Sequence, residues 1–162
     1  MSTEALSGQQ IVEAGLDGWT FLLHYGLHGL QTRIHTKCFA DGARIVHEIG
    51  QAAEGLQHHA DLDLRESWID VRLVSGYDVG GVTEVDVQLA RRISAIATAA
   101  GAQNECTSVS SLELALDTPD HEKIAPFWAA VLDREYVSGD GWGDVGRPAS
   151  SASHHLVPTL WQ

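Results

Sequence analysis

At 162 residues and 44% hydrophobic composition, the chain is long enough to bury a core, as one domain or as two small ones. Its 22 acidic and 10 basic residues give a formal charge of -12, and no Lys/Arg cluster offsets that field locally, which argues against a nucleic-acid partner or an anionic membrane surface. The stretch from Met1 to Ser7 lacks the basic and apolar regions of a secretory signal, and no apolar run approaches the roughly 18 residues that span a bilayer, so a cytoplasmic protein without membrane contact is expected.

Ser7 followed by Gln10 has the spacing of a capping box and predicts a short helix over Gly8 to Ala14, ended by Gly15-Leu16-Asp17-Gly18. Trp19 to Tyr25 and Leu30 to Cys38 are rich in aromatic and β-branched residues, which predicts an antiparallel hairpin with its turn bracketed by Gly26 and Gly29. From Asp41 on, Ile45, Ile49, Ala52, Ala53 and Leu56 recur at helical spacing; that helix carries Glu54 near its C-terminal end and delivers the chain to His58. Trp68 to Ser75 alternates apolar and polar residues as a half-buried strand does. Asp78-Val79-Gly80-Gly81 is turn chemistry. Thr83 is then a plausible N-cap, with Glu84 and Asp86 in the positive first turn of a helix through Val87, Leu89, Ala90, Ile93, Ile96 and Ala97.

The small, polar run from Thr98 to Glu105 suggests a boundary, with a first domain over 1–101, a linker over 102–107 and a second segment over 108–162. In that segment Val109 to Asp117 reads as a strand, and Thr118-Pro119-Asp120 caps a helix whose apolar face holds Ile124, Phe127, Trp128, Val131 and Leu132. Three short strands around Tyr136, Trp142 and Leu156 to Trp161 complete a β-α-β-β-β order. Cys38 and Cys106 match no metal or redox spacing and are expected as reduced thiols.

The residues richest in chemistry are Glu54-Gly55-Leu56-Gln57-His58-His59-Ala60-Asp61, which set two imidazoles where a helix runs into a loop, one turn after a carboxylate. Imidazole exchanges a proton near neutrality, so a close pair suits acid–base work or metal binding. Other signals are weaker. Gly141-Trp142-Gly143-Asp144-Val145-Gly146 satisfies G-x-G-x-x-G, but Arg147-Pro148 comes next, where a dinucleotide site needs a helix, so a loop is expected. His47-Glu48 and His121-Glu122 each begin a zincin-like pattern and lack its second histidine. Among His24, His28 and His35 of the hairpin, His35 is the one expected nearest a pocket.

Glu-x-x-x-His-His, an alternating strand, and then Asp78-Val79-Gly80-Gly81-Val82-Thr83-Glu84-Val85-Asp86 opening a helix together resemble the pterin-4a-carbinolamine dehydratase family, over about Leu6 to Gly101. The resemblance implies an α+β domain, a four-stranded antiparallel sheet with helices on one face, assembled as a homodimer or homotetramer. It also implies the dehydration of 4a-hydroxytetrahydropterin to quinonoid dihydropterin, with the pterin as substrate and neither cofactor nor metal. By the same resemblance His58 and His59 are the acid–base pair, and Glu54, Asp61, Ser75 and Asp86 lie on the substrate-binding side. Two departures stand out. The family's proline after the histidine pair is Ala60 here, and the position of its third histidine falls on Gly76 or Tyr77. A phenol near that position can donate a proton but is a poor base at neutrality, so Tyr77 replaces an acid and not a base, and weakened turnover is one expectation. The alternatives are a non-catalytic pterin-binding or dimerisation module, or a glyoxalase-like protein that binds a small molecule or metal.

The last of these rests on a second resemblance. Leu114 to Asp120, Phe127 to Leu132 and the closing Leu160-Trp161-Gln162 are similar to the first β-α-β-β-β module of glyoxalase-like, vicinal-oxygen-chelate proteins, over about Ser108 to Gln162. That likeness implies half of a paired site, with Glu113, His154 and His155 as incomplete metal-ligand candidates.

Overall fold

The structure is a computed structural model and describes residues 4–24, 27–75, 81–110, 118–133, 135–139 and 142–146. The chain forms two compact units, Met1–Ser111 and Leu112–Gln162.

In the first unit the elements are α1 (Gly8–Glu13), β1 (Thr20–His24), β2 (Leu27–His35), α2 (Phe39–Glu54), β3 (Asp61–Leu64), β4 (Trp68–Leu73), α3 (Glu84–Ala99) and β5 (Gln103–Glu105). Ser7 caps α1 through the reciprocal bonds its spacing with Gln10 predicts. The strands run β1-β2-β4-β3, every described pairing antiparallel. Leu30, Thr32 and Ile34 of β2 and Ile69, Val71 and Leu73 of β4 lie on one face, because side chains alternate along a strand. On that face pack Ile45, Ile49 and Ala53 of α2 and Val87, Leu89, Ala90, Ile93 and Ala97 of α3, giving one core. Trp19 closes its edge and satisfies its indole N–H on Ser94 Oγ at 2.9 Å.

Three expectations need correction. The sheet has five strands where four were expected, because part of the stretch assigned as a linker is β5. Strand β1 pairs β2 only as far as Thr20 with Gln31, so the same edge of β2 is open from Arg33 to His35, and Gln103 to Glu105 fill it. Gly18 (φ +76°) makes room for this: a Cβ there would sit 2.7 Å from the Asn104 carbonyl oxygen. Buried Thr32 ties the same corner, its hydroxyl donating to Gly18 O at 2.6 Å. Second, Gly29 belongs to β2, opposite Leu22, and not to the hairpin turn. A Cβ at Gly29 would lie 2.9 Å from Leu73 O, so a glycine that reads as a turn signal marks close approach between strands. The connection at 25–26 lies outside the described residues.

The third correction concerns the second unit, whose described elements are α4 (His121–Leu132) and the antiparallel hairpin β6 (Glu135–Gly139) and β7 (Trp142–Gly146). The strands expected around Tyr136 and Trp142 are thus β6 and β7, and the second occupies the glycine-rich G-x-G-x-x-G run, where a loop was expected. Helix α4 buries Ala125, while Phe127, Trp128, Val131 and Leu132 of the predicted packing face are exposed and Ile124, its remaining member, is half-buried. The strands expected over Val109 to Asp117 and Leu156 to Trp161 lie mostly or wholly outside the described residues, as do Glu113, His154 and His155.

Candidate functional site

Helix α2 ends in a Schellman motif, and that motif sets His58 in place. Gln57 takes the left-handed conformation (φ +51°), its N–H donates to Glu54 O at 3.0 Å, and the His58 N–H reaches back to Ala53 O at 3.1 Å. A left-handed non-glycine residue costs about 1 kcal/mol, so the turn needs an anchor beyond it. The His58 ring is that anchor: it is 16% exposed, and its Nε2 lies 2.7 Å from Asp86 Oδ1.

Asp86 comes from the first turn of α3. It is 0% exposed, the most deeply placed carboxylate among the described residues. Thr83 precedes the helix in extended conformation, and its backbone N–H donates to Asp86 Oδ2 at 2.7 Å, one half of a capping box. The Thr83 hydroxyl lies 3.1 Å and the Ser75 hydroxyl 2.5 Å from the same oxygen, and the two hydroxyls are 2.7 Å apart. An acidic group at a helix N-terminus also meets the positive end of the helix dipole. A buried charge is tolerable only when its lone pairs are filled, and here every oxygen of Asp86 is engaged.

The other sequence candidates sort by exposure. His59 and Glu54 are exposed on either side of the turn. Asp61 opens β3, also exposed, and accepts from Arg72 Nη1 at 3.2 Å. Ser75 and Asp86, both expected on the substrate-binding side, bond each other, and of the two it is Asp86 that bonds the His58 ring. Tyr77 and Gly76 lie outside the described residues. Sequence reasoning placed Thr83 only as a cap; the Thr-x-x-Asp spacing was the signal that it would share a carboxylate with the site.

A separate groove of about 530 Å³ lies against the N-terminal half of α2, lined by His35, Lys37, Arg44 and Glu48 among others, and shares no residue with the His58 cluster. His35 therefore does border a hollow, as expected, and it does so away from the His58 cluster. Among the described residues no group of three or more His, Cys, Asp or Glu side chains could hold a metal ion, and no helix is long and apolar enough to cross a membrane.

Comparison with known proteins covers this same region. The family described as pterin 4 alpha carbinolamine dehydratase matches residues 4–96. A Streptomyces coelicolor protein carrying the inferred name pterin-4-alpha-carbinolamine dehydratase is 38% identical over 104 residues, 63% of this chain and 99% of its own. A Mycobacterium avium protein of the same inferred name is 34% identical over 93 residues, 56% of this chain and 94% of its own. Among solved structures, a transcriptional coactivator/pterin dehydratase from Brucella melitensis superposes with a TM-score of 0.52 at 30% identity, over 57% of this chain and 97% of that one. The match spans α1 through most of α3 and includes every member of the His58 network, and the chain belongs to the pterin 4 alpha carbinolamine dehydratase family.

Proposed function

We propose that the first unit dehydrates a 4a-hydroxytetrahydropterin to the quinonoid dihydropterin. The observation that carries this reading is the 2.7 Å contact between His58 Nε2 and a fully buried, fully bonded Asp86, inside the region shared with the family. In a carbinolamine the C–O bond must break with the hydroxyl leaving as water, which needs a proton, while the adjacent ring N–H gives one up as the C=N bond forms. The two proton transfers balance, so one imidazole can serve both, or two can divide them. His58 is held firmly enough to be the proton-transfer group. Exposed His59, Glu54 and Asp61 lie within one helical turn of it in the chain, and the two carboxylates are suited to accept from the amino and ring N–H groups of a pterin. Tyr77 is taken as a proton donor in this reading, which leaves the chain one base short of the family pattern and its turnover correspondingly slower.

Stopped-flow dehydration of the carbinolamine tests the reading. Wild type should exceed the spontaneous rate, with His58→Ala losing about 100-fold of the enhancement, the scale of one general acid–base group. A wild-type rate equal to the spontaneous one would refute the assignment.

A second reading is supported by the Brucella melitensis protein, described as both coactivator and dehydratase: the unit serves as a binding or dimerisation module. Capture of a protein partner that is indifferent to pterin would favour it. We further propose that the first unit forms homodimers or homotetramers, which sedimentation measures directly, and that the domain division falls after β5, near Ser111 and not within the 102–107 stretch first assigned as the linker. The second unit is proposed as a glyoxalase-like half module, on the strength of its helix-then-hairpin order; stoichiometric metal in the purified protein would assign it a metal site.

A further inference from the structure

The donors gathered around Asp86 decide which nitrogen of His58 carries the proton. Oδ2 is approached by the Thr83 N–H, the Ser75 hydroxyl and the Thr83 hydroxyl, at 2.7, 2.5 and 3.1 Å, and the backbone N–H can only donate. The two hydroxyls also touch each other, so at most one of their two hydrogens serves the Ser75–Thr83 contact and the other remains for the carboxylate. An ionised carboxylate accepts and never donates, which leaves Oδ1 to accept from the ring at 2.7 Å. We infer that Ser75, Thr83 and Asp86 form a positioning unit that fixes neutral His58 with its proton on Nε2, and so makes Nδ1 the ring's proton acceptor. A histidine free in water has no such restriction. The catalytic consequence, that Nδ1 takes the pterin ring proton, rests on the dehydratase reading, whereas the tautomer does not.

The same geometry makes an unusual demand on Asp86→Asn. The amide oxygen must occupy the Oδ2 position, because an NH2 there would face the Thr83 N–H. The amide NH2 is then turned toward His58 and donates to Nε2, which forces the proton onto Nδ1. One substitution, nearly identical in shape, thereby inverts the tautomer, and the ring loses its acceptor while keeping its place.

Long-range proton–nitrogen NMR of protein labelled at histidine nitrogen reads this directly, with His58 assigned by its disappearance in His58→Ala. At a pH of about 9, where free imidazole is neutral, wild type should show a protonated Nε2 and an unprotonated Nδ1, and Asp86→Asn the reverse. Ser75→Ala and Thr83→Val, which leave the carboxylate itself in place, should each broaden the signal toward a mixture, and Thr83→Ser should restore the wild-type pattern. In the dehydration assay Asp86→Asn should lower kcat by about 100-fold or more with KM little changed, as when an interaction made only in the transition state is lost, and the tautomer spectrum shows that the ring is misdirected rather than missing. A wild-type ring protonated on Nδ1, protonated on both nitrogens or freely exchanging overturns the inference, as does an unchanged tautomer in a folded Asp86→Asn. The expected spectra in a protein that shows no dehydration would leave the positioning unit standing and remove only the dehydratase reading.

Discussion

Asp86 and Glu105 solve the same problem at opposite levels of burial. Each carboxylate accepts from a threonine backbone N–H, from that threonine's hydroxyl, from a serine hydroxyl and from the Nε2 of a histidine: Thr83, Ser75 and His58 for Asp86, and Thr107, Ser108 and His35 for Glu105. The His58 and Asp86 side chains are 16% and 0% exposed, whereas those of His35 and Glu105 are 56% and 25% exposed. In low dielectric a bonded carboxylate fixes its partners, and losing it strands every donor; near water the solvent replaces whatever is lost. The donor sets are nearly alike, so burial decides which cluster can hold a catalytic ring.

The largest expected effect is therefore that of Asp86→Ala. It leaves the Thr83 N–H, the Ser75 hydroxyl and the His58 ring without their acceptor, and unfolding by denaturant should report a loss of about 3 kcal/mol. If the loss were below about 1 kcal/mol, the network would be open to water and the contrast with Glu105 would disappear. His58→Ala removes only one donor, from the more exposed side, and should keep most of the stability while losing the activity.

A middle-sized effect tests the seat of the exposed cluster. Gly18→Ala places a methyl 2.7 Å from Asn104 O in a conformation (φ +76°) that disfavours any side chain. The strain should cost about 2 kcal/mol, on the scale of other incompatible backbone substitutions. Amide exchange should locate the loss at Gln103 to Glu105 and leave β4 and α3 protected. Exchange that rises uniformly would mean that β5 is an integral part of the core and not an addition to its edge.

How far such effects could be foreseen depended on whether the signal was periodic. Ile45, Ile49 and Ala53 repeat at helical spacing, and Trp68 to Leu73 alternate, so α2 and β4 were legible without coordinates. Strand β5 was not, since Gln103-Asn104-Glu105 has no apolar alternation and is held by Gly18 and by the open edge of β2, both distant in sequence. The histidine pair was legible as a motif, yet two adjacent imidazoles look equivalent in sequence. The left-handed Gln57 separates them, sending His58 to Asp86 and leaving His59 exposed. Likewise, an acidic residue in the first turn of a helix reads as a partner of the helix dipole, which says nothing of its burial. The burial of Asp86 is a tertiary fact, made by Ser75 arriving from the end of β4.

The smallest effect is the most specific to pH. The hydroxyls of Ser108 and Thr107 hold the Glu105 carboxyl well below its ordinary value of 4.5. A carboxyl whose folded pKa is depressed contributes stability above its unfolded pKa, and that contribution is lost as the pH falls toward the folded value. The difference in melting temperature between wild type and Glu105→Gln should thus be constant above about pH 5 and shrink steadily on acidification below 4.5. Taking the difference cancels the other acidic groups, which both proteins share. The same titration on Asp86→Asn would show a larger offset between the two proteins at neutral pH, since a buried carboxylate has no water to replace its partners. A flat difference for Glu105→Gln down to about pH 3 would mean that the turn from Glu105 to Ser108 is held by its backbone alone and that the hydroxyl donors contribute nothing to it.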